Sequence, residues 1–282
     1  MQTISSNDGR AIEDLFGRPK ALIGMIHCPP LPGAPRYRGA SMEMIIDACL
    51  RDAQALVSGG MHGLIVENHG DIPFSKPEDI GPHTAACLSV IADRLNQRFA
   101  VPLGINVLAN APIQAFATAC AAGANFIRVN QWANAYVANE GFMEGRAAEA
   151  MRYRSLLRAE WIKVFADAHV KHGSHAIMAD RSVAELTRDL AFFDADAVIA
   201  TGQRTGDSAT LDELKEVASA THLPVLVGSG VNPDNVGEIL SVADAVIVAS
   251  CLKEGGVWWN PVEPERVRAF VDAAKPALDG VA

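Results

Sequence analysis

Near the C-terminus stand two segments, Pro224-Val225-Leu226-Val227-Gly228-Ser229-Gly230-Val231-Asn232 and Ala245-Val246-Ile247-Val248-Ala249-Ser250. Each runs from branched apolar residues into small ones. The first ends in Gly-Ser-Gly, with Asn232 placed to cap a following helix. The second ends in Ser250, with Lys253 and Gly255-Gly256 just beyond. In a (β/α)₈ barrel these are the loops after the seventh and eighth strands, where a phosphate is often held. Glycine lets backbone N–H groups approach an anion, and a helix start adds partial positive charge. Gly228, Ser229, Gly230 and Ser250 are therefore expected to seat a phosphate. Two ordinary strand-to-helix turns are the plain alternative.

The same alternation extends back through the chain. Short apolar runs at 21–27, 63–68, 102–109, 126–130, 162–169 and 197–202 precede the two C-terminal ones. Their near-continuous apolarity suits parallel strands covered on both faces. Between them, 41–58, 83–97, 112–122, 183–193, 210–219, 232–240 and 264–274 carry apolar residues at helical spacing. Eight βα units in 282 residues predict a TIM (β/α)₈ barrel, one α/β domain over residues 1–282. No GxGxxG follows the first run, which argues against a dinucleotide-binding sheet. Two connections are long: a Pro- and Gly-rich stretch at 28–40 and an insertion at 131–160. Long βα loops are expected as lids or pocket walls, with an oligomer contact as the alternative.

Polar residues gather where the strands end. They are His27, Glu67-Asn68 with His69-Gly70-Asp71, Asn106, Arg128 with Asn130, Asp167 with His169 and Lys171-His172, and Thr201 with Arg204, Thr205 and Gly206. Strand parity puts Lys163, Phe165, Asp167 and His169 on one face, inside the barrel, where Arg128 can meet Asp167. That pair reads either as a structural ion pair or as a substrate contact. Asp167, His169 and Glu67 are the candidate acid–base residues. His27, Asn68, Asn106, Arg128, Asn130, Lys171 and Thr201 are the candidate substrate contacts. Lys163, early in its strand, is a weaker candidate for a Schiff base. His62, His83 and His222 are given no role.

No cofactor is read from the sequence. His27, Glu67, Asp167 and His169 have metal-ligand chemistry, but no HxH or HExxH spacing supports it, so a divalent metal stays an alternative and no metal ligand is assigned. The net charge of −9 argues against a nucleic-acid partner. The five scattered cysteines form no CxxC pair and suit a reducing cytoplasm. No apolar run approaches a membrane span, and the start of the chain does not read as a secretory signal. Alanine-rich helix faces, such as Ala119 to Ala122, make a homo-oligomer an expectation.

Several segments resemble successive motifs of the BtpA family. They are Ile26-His27-Cys28-Pro29-Pro30-Leu31-Pro32-Gly33, Ile65-Val66-Glu67-Asn68 with Asp71-Ile72-Pro73-Phe74, and Leu103-Gly104-Ile105-Asn106-Val107-Leu108. Further along stand Phe126-Ile127-Arg128-Val129-Asn130, Ala166-Asp167-Ala168-His169-Val170-Lys171-His172, Thr201-Gly202 with Thr205-Gly206, and Gly228-Ser229-Gly230-Val231. The segment Ala135-Tyr136-Val137-Ala138-Asn139-Glu140-Gly141 departs from the family's Gly- and Asp-containing version. The family is similar to ribulose-phosphate-binding barrels, so the resemblance implies a TIM barrel with a phosphate-type site. Its name comes from a cyanobacterial member linked to photosystem I biogenesis, and other members look like parts of sugar-uptake gene clusters.

Together these readings predict an enzyme acting on a small phosphorylated metabolite, a sugar phosphate or ribosyl compound. Isomerisation, lyase or aldolase chemistry and glycosidic cleavage all stay open. A non-catalytic biogenesis or stability factor for a membrane complex, and a metal-dependent hydrolase, are the competing readings.

Overall fold

A computed structural model describes residues 9–202 and 210–280 of the protein. Arg204, Thr205 and Gly206, and the first eight residues, therefore lie outside the described residues.

The first half of the barrel is built from β1 (Ala21–His27), α2 (Met42–Ser58), β2 (Gly63–Glu67), α3 (Pro82–Arg98), β3 (Leu103–Asn106), α4 (Pro112–Ala122) and β4 (Phe126–Val129). A short α1 (Ala11–Phe16) precedes them. A hairpin, β5 (Ala135–Ala138) with β6 (Gly141–Glu144), and α5 (Ala147–Leu156) occupy the insertion. The second half comprises β7 (Lys163–Asp167), α6 (Val183–Phe192), β8 (Ala197–Ala200), α7 (Leu211–Ala220), β9 (Val225–Gly228), α8 (Val236–Leu240), β10 (Ala245–Val248) and α9 (Pro264–Leu278). Eight parallel strands close in the order β1-β10-β9-β8-β7-β4-β3-β2, the architecture expected from the sequence.

Parity sorts the strand side chains between an outer and an inner cluster. Val164 and Ala166 of β7 face out and join the large cluster packed under the helices. Phe165 faces in, beside Phe126, Ile199, Leu226 and Ile247. The Phe126 and Phe165 rings stack at 4.6 Å, and an added Cβ on Gly104 would lie 2.3 Å from the Phe126 ring. Glycine in β3 thus leaves room for an aromatic from the next strand. Ala11 and Ile12 of α1 are buried against this inner cluster and stopper the end of the barrel where the strands begin.

Lys163 does not enter the site as a Schiff-base candidate. Its Nζ lies 3.3 Å from Asp196, at the start of β7. The helix expected from Asn232 opens only at Val236 and is five residues long. Local side-chain bonds take its place: Asn235 Oδ1 accepts the Asn232 N–H at 2.8 Å, and Asn232 Oδ1 accepts the Asp234 N–H at 2.9 Å. Such bonds compete with helix formation.

Beside the start of β1, His62 has a structural role that the sequence does not signal. Its Nδ1 accepts the Leu22 N–H at 3.0 Å, and the Arg18 guanidinium lies beside its Nε2. Burial, and then the Arg18 charge, lower its pKa from 6.5 to about 4. The folded chain thus refuses a proton that the unfolded chain accepts. This contribution to stability is complete above pH 6.5 and is lost as pH falls towards 4. The difference in unfolding free energy between the wild type and His62→Gln should shrink across that window in urea titrations. A difference constant with pH would remove the assignment.

The two long connections behave differently. None of residues 28–40 lines the main cavity; this stretch packs down instead, with Leu31 buried and its N–H donated to Asp71 Oδ1 at 2.9 Å. The insertion does form a wall. Val137 and Ser174 exchange both backbone hydrogen bonds, at 3.0 and 2.8 Å, and Tyr136 stacks on His175 at 5.2 Å. The hairpin is thereby joined to the loop after β7.

Candidate functional site

A cavity of about 740 Å³ opens at the C-terminal ends of the strands. Eight of the expected site residues line it: His27, Glu67, Arg128, Asn130, Lys171, Ser229, Gly230 and Ser250. They come from strand ends or the loops just after them, on β1, β2, β4, β7, β9 and β10. Only barrel closure brings such distant segments together.

Other expected residues stand behind this lining. Asp167 is buried, its Oδ1 accepting from Arg128 Nε and its Oδ2 from Arg128 Nη2, both at 3.0 Å. Asn130 Nδ2 also donates to Oδ2, at 3.1 Å. The carboxylate expected to move a proton instead has both oxygens occupied. Arg128 stays firmly charged: burial alone would lower its pKa, and Asp167 more than reverses that. Asn106 Nδ2 donates to Glu67 Oε2 at 2.6 Å. Asn68 braces the backbone of the next loop, accepting the Leu108 N–H at 2.7 Å and donating to the Leu108 carbonyl at 3.1 Å. Thr201 Oγ1 donates to the His169 carbonyl at 2.7 Å, while the His169 ring lies 3.7 Å from that of His175, outside the cavity lining. Gly228 sits under the Arg128 guanidinium, where an added Cβ would be 3.4 Å from Nη2.

At one side of the cavity Glu67 Oε1 accepts from His69 Nδ1 at 2.6 Å, and His27 Nε2 lies 3.7 Å away from the same oxygen. Burial would raise the Glu67 pKa, but the His69 hydrogen bond and the neighbouring His27 and Arg128 hold it at about 2. Burial lowers that of His27 to about 3, against the pull of Glu67. The His27 and His69 rings stack at 4.5 Å, and Trp258 closes over His69 with ring centres 4.2 Å apart.

Lys171 and the glycine-rich loop also line this cavity. Lys171 Nζ donates to Ser229 Oγ at 3.3 Å. Burial, then the charge of Arg128, lower the lysine's pKa. Ser229 has φ +102° and Gly230 φ +69°. A non-glycine residue held in that region stores strain of a kind that clusters at ligand sites. Lys253, which the sequence puts just behind Ser250, does not reach this group: it is 1% exposed, and its Nζ donates to Asp52 Oδ2 at 2.7 Å.

Trp258, Phe74, Tyr136 and Asn110 line the cavity without having been singled out as candidates. His69 stood in the polar ring, but its pairing with Glu67 was not foreseen. Continued strand parity, placing residue 69 on the side of residue 67, is the signal that could have found it.

A closed parallel barrel with a cavity at its C-terminal rim defines a protein of the TIM-barrel class. A model of the BtpA family matches residues 18–276, and the chain belongs to that family. An uncharacterised protein of Archaeoglobus fulgidus is 42% identical over 256 residues, 91% of this chain and 99% of the relative. The photosystem I biogenesis protein BtpA of Synechocystis is 36% identical over 258 residues, 91% of this chain and 88% of the relative. Solved structures share the fold at low identity. Thiamine phosphate pyrophosphorylase from Pyrococcus furiosus superposes with TM-score 0.56 at 13% identity, covering 92% of this chain and 96% of its own. N-(5'-phosphoribosyl)anthranilate isomerase from the same organism gives TM-score 0.55 at 16% identity, covering 91% and 98%. Among the described residues no helix is long and apolar enough to cross a membrane.

Proposed function

We propose that this chain is a barrel enzyme acting on a small phosphorylated metabolite, a sugar phosphate or ribosyl compound, by moving a proton. The observation that carries the reading is one cavity holding both the Lys171–Ser229–Gly230–Ser250 group and the hydrogen-bonded Glu67–His69 pair. The first group offers a phosphate backbone N–H donors and one amine. In the second, a carboxylate held anionic orients an imidazole through Nδ1–H and leaves Nε2 to exchange a proton, as in other carboxylate–histidine pairs. Asp167 serves this site by fixing Arg128, not by transferring a proton. Asn130 Oδ1 is buried behind the cavity wall with no hydrogen-bond partner among the described residues. The names of two structural neighbours, a thiamine phosphate pyrophosphorylase and a phosphoribosylanthranilate isomerase, agree with a phosphorylated ligand.

Thermal unfolding in the presence of ribose 5-phosphate, other sugar phosphates and inorganic phosphate tests the phosphate seat. A ligand at a hundred times its Kd should add about 2.7 kcal/mol of stability. Gly230→Glu fills the seat and Lys171→Ala removes its charge; both should abolish the shift, whereas exposed Arg268→Gln should retain it. No response to any phosphate ester would end this reading.

The name of the Synechocystis relative supports a second reading, a non-catalytic assembly factor. Leu156, Trp161, Phe192 and Phe193 are exposed in segments leading into β7 and β8, where the strands begin. That reading requires a partner on those side chains. It predicts loss of partner capture on Trp161→Ser and Phe192→Ser with the phosphate response intact.

A further inference from the structure

His27 has oxygen on both sides. Its Nδ1 is 3.1 Å from the Trp258 carbonyl and its Nε2 is 3.7 Å from Glu67 Oε1. A neutral imidazole carries one N–H, so whichever nitrogen holds the proton, the other directs a lone pair at an oxygen. The shorter contact places the proton on Nδ1, donated to Trp258. Nε2 then directs its lone pair at the carboxylate, 3.7 Å from Oε1. An imidazole whose far N–H is tied to a backbone carbonyl is how metal-binding histidines are commonly oriented. The carboxylate has its own support, since Asn106 occupies Glu67 Oε2 and leaves Oε1 for other partners.

The geometry points to a divalent transition-metal site made by His27 Nε2, Glu67 Oε1 and a ring nitrogen of His69, with its remaining coordination positions open to the cavity. Ligand atoms of the three residues lie within 4.8 Å of one another. Zinc–nitrogen and zinc–oxygen bonds are about 2.0–2.2 Å, so a cation bridges the 3.7 Å between His27 and Glu67 with little movement. His69 exchanges its hydrogen bond to Glu67 for an Nδ1 bond to the cation, and the displaced ring proton is taken up at Nε2, so the ligand stays a neutral imidazole. Two histidines and one carboxylate suit zinc, iron(II) or manganese rather than calcium or magnesium. Trp258 and Phe74 pack edge-on against the His69 ring, at 4.2 and 5.8 Å between ring centres, and hold it in place. A cation here polarises a substrate oxygen or bound water beside the proposed phosphate seat. The inference rests on the cluster alone and needs no phosphate. Where the cation is bound, it replaces the acid–base role given above to His69.

The test is calorimetric titration of the full chain, after treatment with a chelator and dialysis, with Zn²⁺. The wild type should take up one equivalent, and His27→Gln and Glu67→Gln should bind at least tenfold more weakly. His175→Gln, which alters a histidine outside the cluster, should match the wild type. Visible absorption of Co²⁺-loaded protein gives a second readout, with bands lost in His27→Gln. Circular dichroism checks that each variant is folded. Absence of stoichiometric uptake by the wild type, or equal affinity in the folded His27 and Glu67 variants, overturns the site. Lys171→Ala separates the two proposals: it should keep the metal while losing the thermal response to phosphate.

Discussion

Arg128→Met should destabilise the protein by about 3–5 kcal/mol, because it leaves the Asp167 carboxylate buried without its counter-charge. Both groups are withdrawn from solvent, with side-chain exposures of 7% and 0%. The pair is bidentate, so Met removes two charge-assisted hydrogen bonds together with the charge. Asn130 remains on Oδ2 but brings no charge. Urea unfolding measures the loss. The double variant Arg128→Met/Asp167→Leu should recover much of it, since an apolar replacement of both partners leaves no orphaned ion. Recovery of stability should not bring back the phosphate response if Arg128 also faces the ligand. A single-variant loss below about 1 kcal/mol would mean that water reaches Asp167, contrary to the buried pair.

Lys253→Met should have an effect of similar size, about 3–5 kcal/mol, by the same physics in a different place. Asp52 lies on the buried face of α2, with Oδ2 on Lys253 Nζ and Oδ1 accepting the Val262 N–H at 2.9 Å. It therefore pins two points of the segment between β10 and α9. That segment carries Cys251 and Trp258 of the cavity wall. Without the lysine the carboxylate is left as an uncompensated buried charge. Amide hydrogen exchange over residues 250–262 should accelerate along with the global loss. Normal protection there would show that the ion pair does not hold the segment.

These two ion pairs differ in how far the sequence disclosed them. The Arg128–Asp167 contact follows from parity on neighbouring strands: regular alternation fixed which side chains point inward, and barrel closure supplied the rest. Glu67, Lys171 and the Gly228–Gly230 turn were legible in another way, from their place at or just past the end of an apolar run. Lys253 stands between Ser250 and Gly255-Gly256 and reads with them, yet its partner is 201 positions away in α2. Asp52 did leave a trace. Ile45, Ile46, Cys49, Ala53 and Leu56 mark the buried face of that helix, and residue 52 falls three positions after Cys49 on the same side. A carboxylate on an apolar face requires a counter-charge, but periodicity does not say which. The false helix start at Asn232 has a similar origin. Asn232 and Asn235 look like caps by type, and their side chains bond the turn's own backbone instead. The Glu67–His69–His27 cluster was half legible. Each member sat in the polar ring, whereas the Trp258 carbonyl that orients His27 arrives from the far end of the chain.

The paired backbone bonds between Val137 and Ser174 bear on how a ligand can enter and leave. Glu140 belongs to the hairpin, and Lys171 and His172 belong to the loop stitched to it. The two bonds tie these arms together, so an acidic and a basic part of the rim are fixed to one another. Selection for a larger or differently charged occupant must then act on both arms at once.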